Sequence, residues 1–102
     1  MNKKNKDDFF DILRKIEKNP GESQRKLARQ LNISLGKLNY CLKALQQKGL
    51  IKIKNFQKNT NKLNYIYILT PKGITEKTKL TINFMARKMK EYEELREELK
   101  KK

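Results

Sequence analysis

Apolar residues recur along this chain with two different periods, and the changes of period divide it into elements. From Asp7 to about Lys18, Phe9, Phe10, Ile12, Leu13 and Ile16 fall at helical spacing. Asp7 and Asp8 stand at the start of that stretch and Arg14, Lys15 and Lys18 toward its end, the order a helix dipole favours. Asn19-Pro20-Gly21 then stops it, because proline cannot continue a helix and glycine turns freely. Ser23 is a natural N-cap for a short second helix reaching Gln30, with Leu27, Ala28 and Leu31 turned inward. Asn32-Ile33 makes a turn, Ser34 caps a third helix running to about Lys48, and Gly49 supplies its stop. On the third helix Leu35, Leu38, Cys41, Leu42 and Leu45 make one stripe. Gly36, Tyr40, Lys43 and Gln47 make the opposite one, with Lys37 and Asn39 at its margins.

After Gly49 the period drops to two. Ile51-Lys52-Ile53-Lys54 alternates as a half-buried strand does, and Leu63 to Leu69 is rich in β-branched and aromatic residues. The polar stretch from Phe56 to Asn64 is the expected turn between them, so the pair predicts a hairpin with a basic tip at Lys58 and Lys62. Thr70-Pro71 is a cap followed by proline at the first helical position, and nothing after Gly73 breaks a helix before the chain's end. Met85, Tyr92 and Leu99 are spaced by seven, with Leu95 at the matching d position and Met89 alongside, a coiled-coil seam of about two heptads. Residues 1–6 are polar and expected to be disordered, residues 7–70 form one unit, and 71–102 form an appended helix. The fold predicted is mainly α with a β-hairpin wing: a winged helix-turn-helix followed by a long C-terminal dimerisation helix.

Charge sharpens that picture. Among 102 residues, 36% are apolar and 36% charged, and the formal charge is +15, which calls for a polyanionic partner. Between Ser23 and Thr75 there are eleven Lys or Arg and no Asp or Glu, while residues 1–22 and 76–102 hold all eleven acids. A surface selected only for solubility mixes its signs; this one segregates them. A single cysteine, Cys41, excludes an internal disulfide and fits a reducing, cytoplasmic setting. The absence of histidine, with a single cysteine, removes zinc sites and most nucleophile–base pairs, and no glycine-rich phosphate loop is present, so neither a cofactor nor an enzymatic activity is expected. No apolar run is long enough to span a membrane, no signal peptide is visible, and no helix pairs a basic face with a bulky apolar rim.

A helix whose outer stripe is free of acid can enter the major groove of double-stranded DNA, while its inner stripe sits on the core. Lys37, Asn39 and Tyr40, in the first two turns, are the candidates for base edges; asparagine pairs with adenine and lysine with guanine. Gly36 can mark a close approach to the DNA backbone. Ser23, Gln24 and Arg25 at the start of the second helix, with Ser34 and Lys43, are candidates for phosphate contacts. Lys52, Lys54, Lys58 and Lys62 would let the wing grip flanking phosphates or the minor groove. Cys41, on the apolar stripe, reads as a buried thiol. The stretch EYEELREE would be repelled by DNA, so Met85, Met89, Tyr92, Leu95 and Leu99 are expected to pair with a second copy. Phe84 and the phenylalanines of the first helix are expected to add contact area there. A two-fold pair would set two recognition helices about one helical turn, roughly 34 Å, apart on DNA. The alternative is a winged-helix module that binds protein or RNA; protein-binding winged helices often lose the basic outer stripe, and this one keeps it.

The runs QRKLARQLNIS, LNYCLKALQQKGLIK and YILTPKG, with the LTPKGI junction and the KMKEYEELREEL tail, resemble MarR-type winged-helix regulators. More narrowly they resemble the small MarR-like group associated with exopolysaccharide gene clusters, over roughly residues 9 to 100. That resemblance implies a bacterial, dimeric DNA-binding transcription factor, with a possible link to polysaccharide genes. The chain is shorter than full-length MarR proteins, with less helix at both ends for dimerisation, and the resemblance alone assigns no small-molecule effector.

Overall fold

A computed structural model describes the backbone of residues 3–59 and 62–101, and the side chains of residues 7–54 and 66–101. The chain order is α1 (Lys3–Lys18), α2 (Gln24–Leu31), α3 (Leu35–Gln47), β1 (Ile51–Asn59), β2 (Lys62–Leu69) and α4 (Pro71–Lys100). The three short helices and the hairpin surround one core, and α4 runs out from it, so the molecule measures 66 × 26 × 22 Å.

Each boundary has a local cause. Ser23 Oγ accepts from the Lys26 amide at 3.2 Å and Ser34 Oγ from the Lys37 amide at 3.0 Å, capping α2 and α3. Between them, Asn32 takes the left-handed conformation (φ 57°), which asparagine tolerates, and the Ile33 amide returns to the Ala28 carbonyl. The end of α3 repeats this arrangement with Gly49 (φ 74°): its amide bonds to the Gln46 carbonyl and that of Leu50 to the Leu45 carbonyl. Leu45 and Leu50 are both buried, which is the apolar contact that usually accompanies such a stop.

The core takes Phe9, Ile12, Leu13 and Ile16 from α1, Leu27 and Ala28 from α2, and Leu38, Cys41, Leu42 and Leu45 from α3. Leu50, Ile51 and Tyr67 close it from the wing side. Where α4 begins, Thr70 Oγ1 accepts from the Gly73 amide and donates to the Gly49 carbonyl, and the Thr70 amide bonds to the Leu50 carbonyl at 3.0 Å. A β-carbon added at Gly73 would lie 1.9 Å from the Leu50 carbonyl oxygen, so only glycine lets α4 start this close to the wing.

Two expectations about boundaries need correction. First, α1 begins at Lys3, not Asp7, so residues 3–6 are helical where disorder was expected. No proline or glycine interrupts that stretch, and Asp7 and Asp8 therefore sit a turn inside the helix. Met1 and Asn2 lie outside the described residues. Second, the strands run further into the hairpin than the expected turn at 56–64 allowed. Phe56 pairs with Asn64 and Gln57 with Leu63, and the register shifts between Gln57 and Asn59. Backbone pairing needs no apolar alternation once a turn has brought two strands together, so a polar strand leaves little signal of its own.

Helix α1 lies antiparallel along the first half of α4. Three contacts mark its course: the ion pair of Glu17 with Lys77, the rings of Phe10 and Phe84 at 5.5 Å, and Asp7 with Arg87 at 3.1 Å. Phe9 and Phe10 are buried within the chain and Phe84 is half-buried against Phe10.

Candidate nucleic-acid interface

The stripe of α3 opposite the core stripe is open to solvent. Leu38, Cys41, Leu42 and Leu45 are buried, while Gly36, Asn39, Tyr40, Lys43 and Gln47 are exposed, Tyr40 by 63%. A tyrosine this exposed has no core role, and its hydroxyl and ring are available to a partner. No atom lies within 4 Å of the position a Gly36 β-carbon would take, so nothing within the chain requires glycine there.

Lys37 ends elsewhere. It leaves the same helix toward α1, where its ammonium lies 2.8 Å from Asp8 Oδ2, with both side chains largely covered. Of the three base-edge candidates, Asn39 and Tyr40 share the outer stripe and Lys37 does not. Cys41 is buried on the inner stripe of the same helix, and its thiol is pushed above its ordinary value by burial first and by Asp8 second, Lys37 opposing. A thiol held protonated in this way is a packing group and not a nucleophile.

At the start of α2, Ser23 and Arg25 are exposed, and Ser23 is also the cap. Gln24 is not free: its amide donates to the Tyr67 hydroxyl at 2.6 Å, tying the front of α2 to the second strand of the wing. Its part in the interface is therefore to hold two elements together. On β1, Lys52 and Lys54 are exposed, opposite Ile68 and Ile66, while Ile51 and Tyr67 turn to the core on the other side of the hairpin. Lys58 and Lys62 fall among residues whose side chains are not described.

Sequence reasoning passed over two residues. Arg29 is exposed one helical turn beyond Arg25, beside the turn into α3, and its place four residues on was the signal. Asp8 is the other, and its partner on α3 is too remote in sequence for any periodicity to report. Arg25 and Arg29 on α2, Asn39, Tyr40 and Lys43 on α3, and Lys52 and Lys54 on β1 are all exposed, within a stretch from Ser23 to Thr75 that carries no Asp or Glu. Exposed cations and hydroxyls in that layout bind phosphates around a helix that presents base-reading groups. Among the described residues, no helix is long and apolar enough to cross a membrane.

Comparison with known proteins agrees with this geometry. Residues 10–52 match the family model of winged helix-turn-helix DNA-binding domains. The structure is similar to that of Staphylococcus aureus MarR in complex with salicylate and kanamycin, at 21% identity and a TM-score of 0.68, covering 85% of this chain and 57% of that one. It is similar to Streptococcus pneumoniae FabT in complex with DNA, at 21% identity and a TM-score of 0.62, covering 90% of this chain and 59% of that one. It is also similar to the multiple antibiotic-resistance repressor of Listeria monocytogenes, at 23% identity and a TM-score of 0.60, covering 84% and 57%. The chain thus spans little more than half the length of these relatives, and at such identities the likeness establishes the fold. No curated protein matches the chain.

Proposed function

We propose that this chain, which has the winged helix-turn-helix fold of MarR-type regulators, is a transcriptional regulator that binds double-stranded DNA in a sequence-specific manner. It acts as a homodimer in the cytoplasm and without catalysis. The observation that carries the reading is the acid-free exposed face of the helix-turn-helix. Asn39 and Tyr40 are exposed on α3, and Arg25, Arg29, Lys43, Lys52 and Lys54 are exposed on α2, α3 and β1. The similarity in fold to a protein solved with DNA supports the same reading. Helix α3 enters the major groove, the start of α2 meets the phosphates, and the wing lies on the flanking backbone or minor groove. The seam of α4, exposed along Met85, Met89, Tyr92, Leu95 and Leu99, pairs with a second copy. The link to polysaccharide genes rests on sequence resemblance alone.

The test is selection from a random duplex pool, followed by fluorescence anisotropy across a salt series. One motif should be enriched. With about six to ten phosphates neutralised, affinity should fall about 10³- to 10⁵-fold between 50 and 200 mM salt. A pool with no enrichment together with a flat salt series would overturn the DNA reading and favour a module that binds protein.

A further inference from the structure

The wing is a ribbon of two strands, and such a ribbon is marginal by itself, so its direction must be set by contacts with the rest of the chain. Its base is fixed by backbone bonds: the Leu50 amide donates to the Leu45 carbonyl and the Thr70 amide to the Leu50 carbonyl. Further along, Tyr67 is the buried residue among those described on β2. Its ring enters the core, and its hydroxyl accepts from the Gln24 amide at 2.6 Å. That bond crosses from the hairpin to a helix over 43 positions of sequence.

We propose that Tyr67 and Gln24 are positioning residues for DNA binding: their hydrogen bond fixes the wing against the start of α2, so that the cations of both meet one duplex at a set separation. The proposal rests on the DNA-binding reading above and names what aligns its parts. Gln24 is the first residue of α2, between the exposed Ser23 and Arg25. Tyr67 pairs with Ile53, and Lys52 and Lys54 stand on the rungs to either side of that pair. Each lysine is therefore about 3.3 Å along the strand from the rung that Gln24 holds. Successive residues of a strand face opposite ways, so Tyr67 turns inward where the exposed lysines turn out. Holding the one sets the height of the others.

Burial of the tyrosine ring alone would not do this. Apolar contact has no preferred direction, and a ring held only by it leaves the ribbon free to tilt about its base. A hydrogen bond fixes both a length and a direction. The residue types suit the task. The glutamine amide donates without bringing a charge to a half-buried place, whereas a glutamate there would put a carboxylate into a stretch that has none. Phosphates are met by charge, and Arg25 supplies it one position on. The start of α2 thus divides its work, with Gln24 turned to the wing and its neighbours turned to solvent.

The experiment uses the full chain with Tyr67→Phe, which keeps the ring, and with Gln24→Ala, which removes the same bond from the α2 side. Each change is made in the unaltered chain and in one carrying Lys52→Ala and Lys54→Ala. Affinity for a mixed-sequence duplex is followed by fluorescence anisotropy across a salt series, with thermal melting alongside. Losing both lysines should lower the salt slope by about 1.8 in log–log units, about 0.9 for each phosphate contact. Tyr67→Phe and Gln24→Ala should each produce most of that drop alone, and the lysine changes should then add little. A bond that only satisfied the tyrosine hydroxyl would lower the melting temperature and leave the slope unchanged. That result overturns the proposal, and so does full additivity with the lysine changes. Should Tyr67→Phe fail to fold, Gln24→Ala decides by the same criterion, because it leaves the core ring in place. A flat salt series from the unaltered chain overturns the DNA-binding reading and the proposal together, and is distinct from a failure seen only in the variants.

Discussion

Lys37 and Asn39 sit two positions apart on one helix and end in different surroundings. Both lie at the margin of the outer stripe by periodicity alone, on opposite sides of it. Which margin faces α1 depends on how the helices pack, and Asp8, the residue that decides it, is far away in sequence. The outer stripe was therefore legible and the fate of Lys37 was not. The pair has a consequence for binding. While Asp8 holds the lysine at 2.8 Å, its charge is largely neutralised for an incoming phosphate. Asp8→Asn should raise affinity for mixed-sequence duplex and steepen the salt slope by about one contact, close to 0.9 in log–log units. The gain should vanish in the double variant Asp8→Asn with Lys37→Ala, as read by anisotropy across a salt series. Gly36 offers a second check at this scale. Nothing fills the space beside it, so Gly36→Ala should stabilise the free protein by up to about 1 kcal/mol in a melting experiment. If DNA backbone approaches there, the same change should weaken duplex binding, and the opposite signs of the two effects identify the glycine as an interface residue.

Elements were legible where a cap or a stop residue marks them. Ser23, Ser34, Gly49 and Thr70-Pro71 each stand where a boundary is found, because their hydrogen bonds and backbone angles are made with neighbours a few residues away. The polar half of the wing was read too short, since its pairing depends on the partner strand and not on its own alternation. The contact of Phe84 with Phe10 was not legible for a related reason: the α1–α4 packing that makes it joins residues far apart in the chain. The junction of β2 with α4 is where elements depend most on a single position. Gly73 meets the backbone of Leu50, and a carbonyl cannot rotate away as a long side chain can. Gly73→Ala must therefore displace the start of α4, at a cost of about 1–3 kcal/mol or more. Thermal denaturation should show that loss. An unchanged melting temperature would mean that α4 can pivot freely on the wing.

At the scale of the whole molecule, a compact basic domain is joined to a helix that its own chain covers only in part. Among the described residues, helix α1 covers α4 as far as Phe84 and Arg87, and the residues of α4 beyond that point are exposed. A bare helical length this polar is marginal in water unless something packs on it. The seam can therefore be altered without disturbing the core, because Leu95 and Leu99 are 60% and 75% exposed. Replacing both with glutamate adds four charges to a paired seam and none to the winged domain. The variant should run as a monomer in light scattering and lose helical signal in circular dichroism, from the distal turns of α4. The winged domain should keep its melting transition. Binding to a two-half-site operator should weaken by about 10²- to 10⁴-fold, the usual contribution of linking two sites, while affinity for one half-site stays unchanged. A variant that remained dimeric would show that the exposed seam is not what holds two copies together.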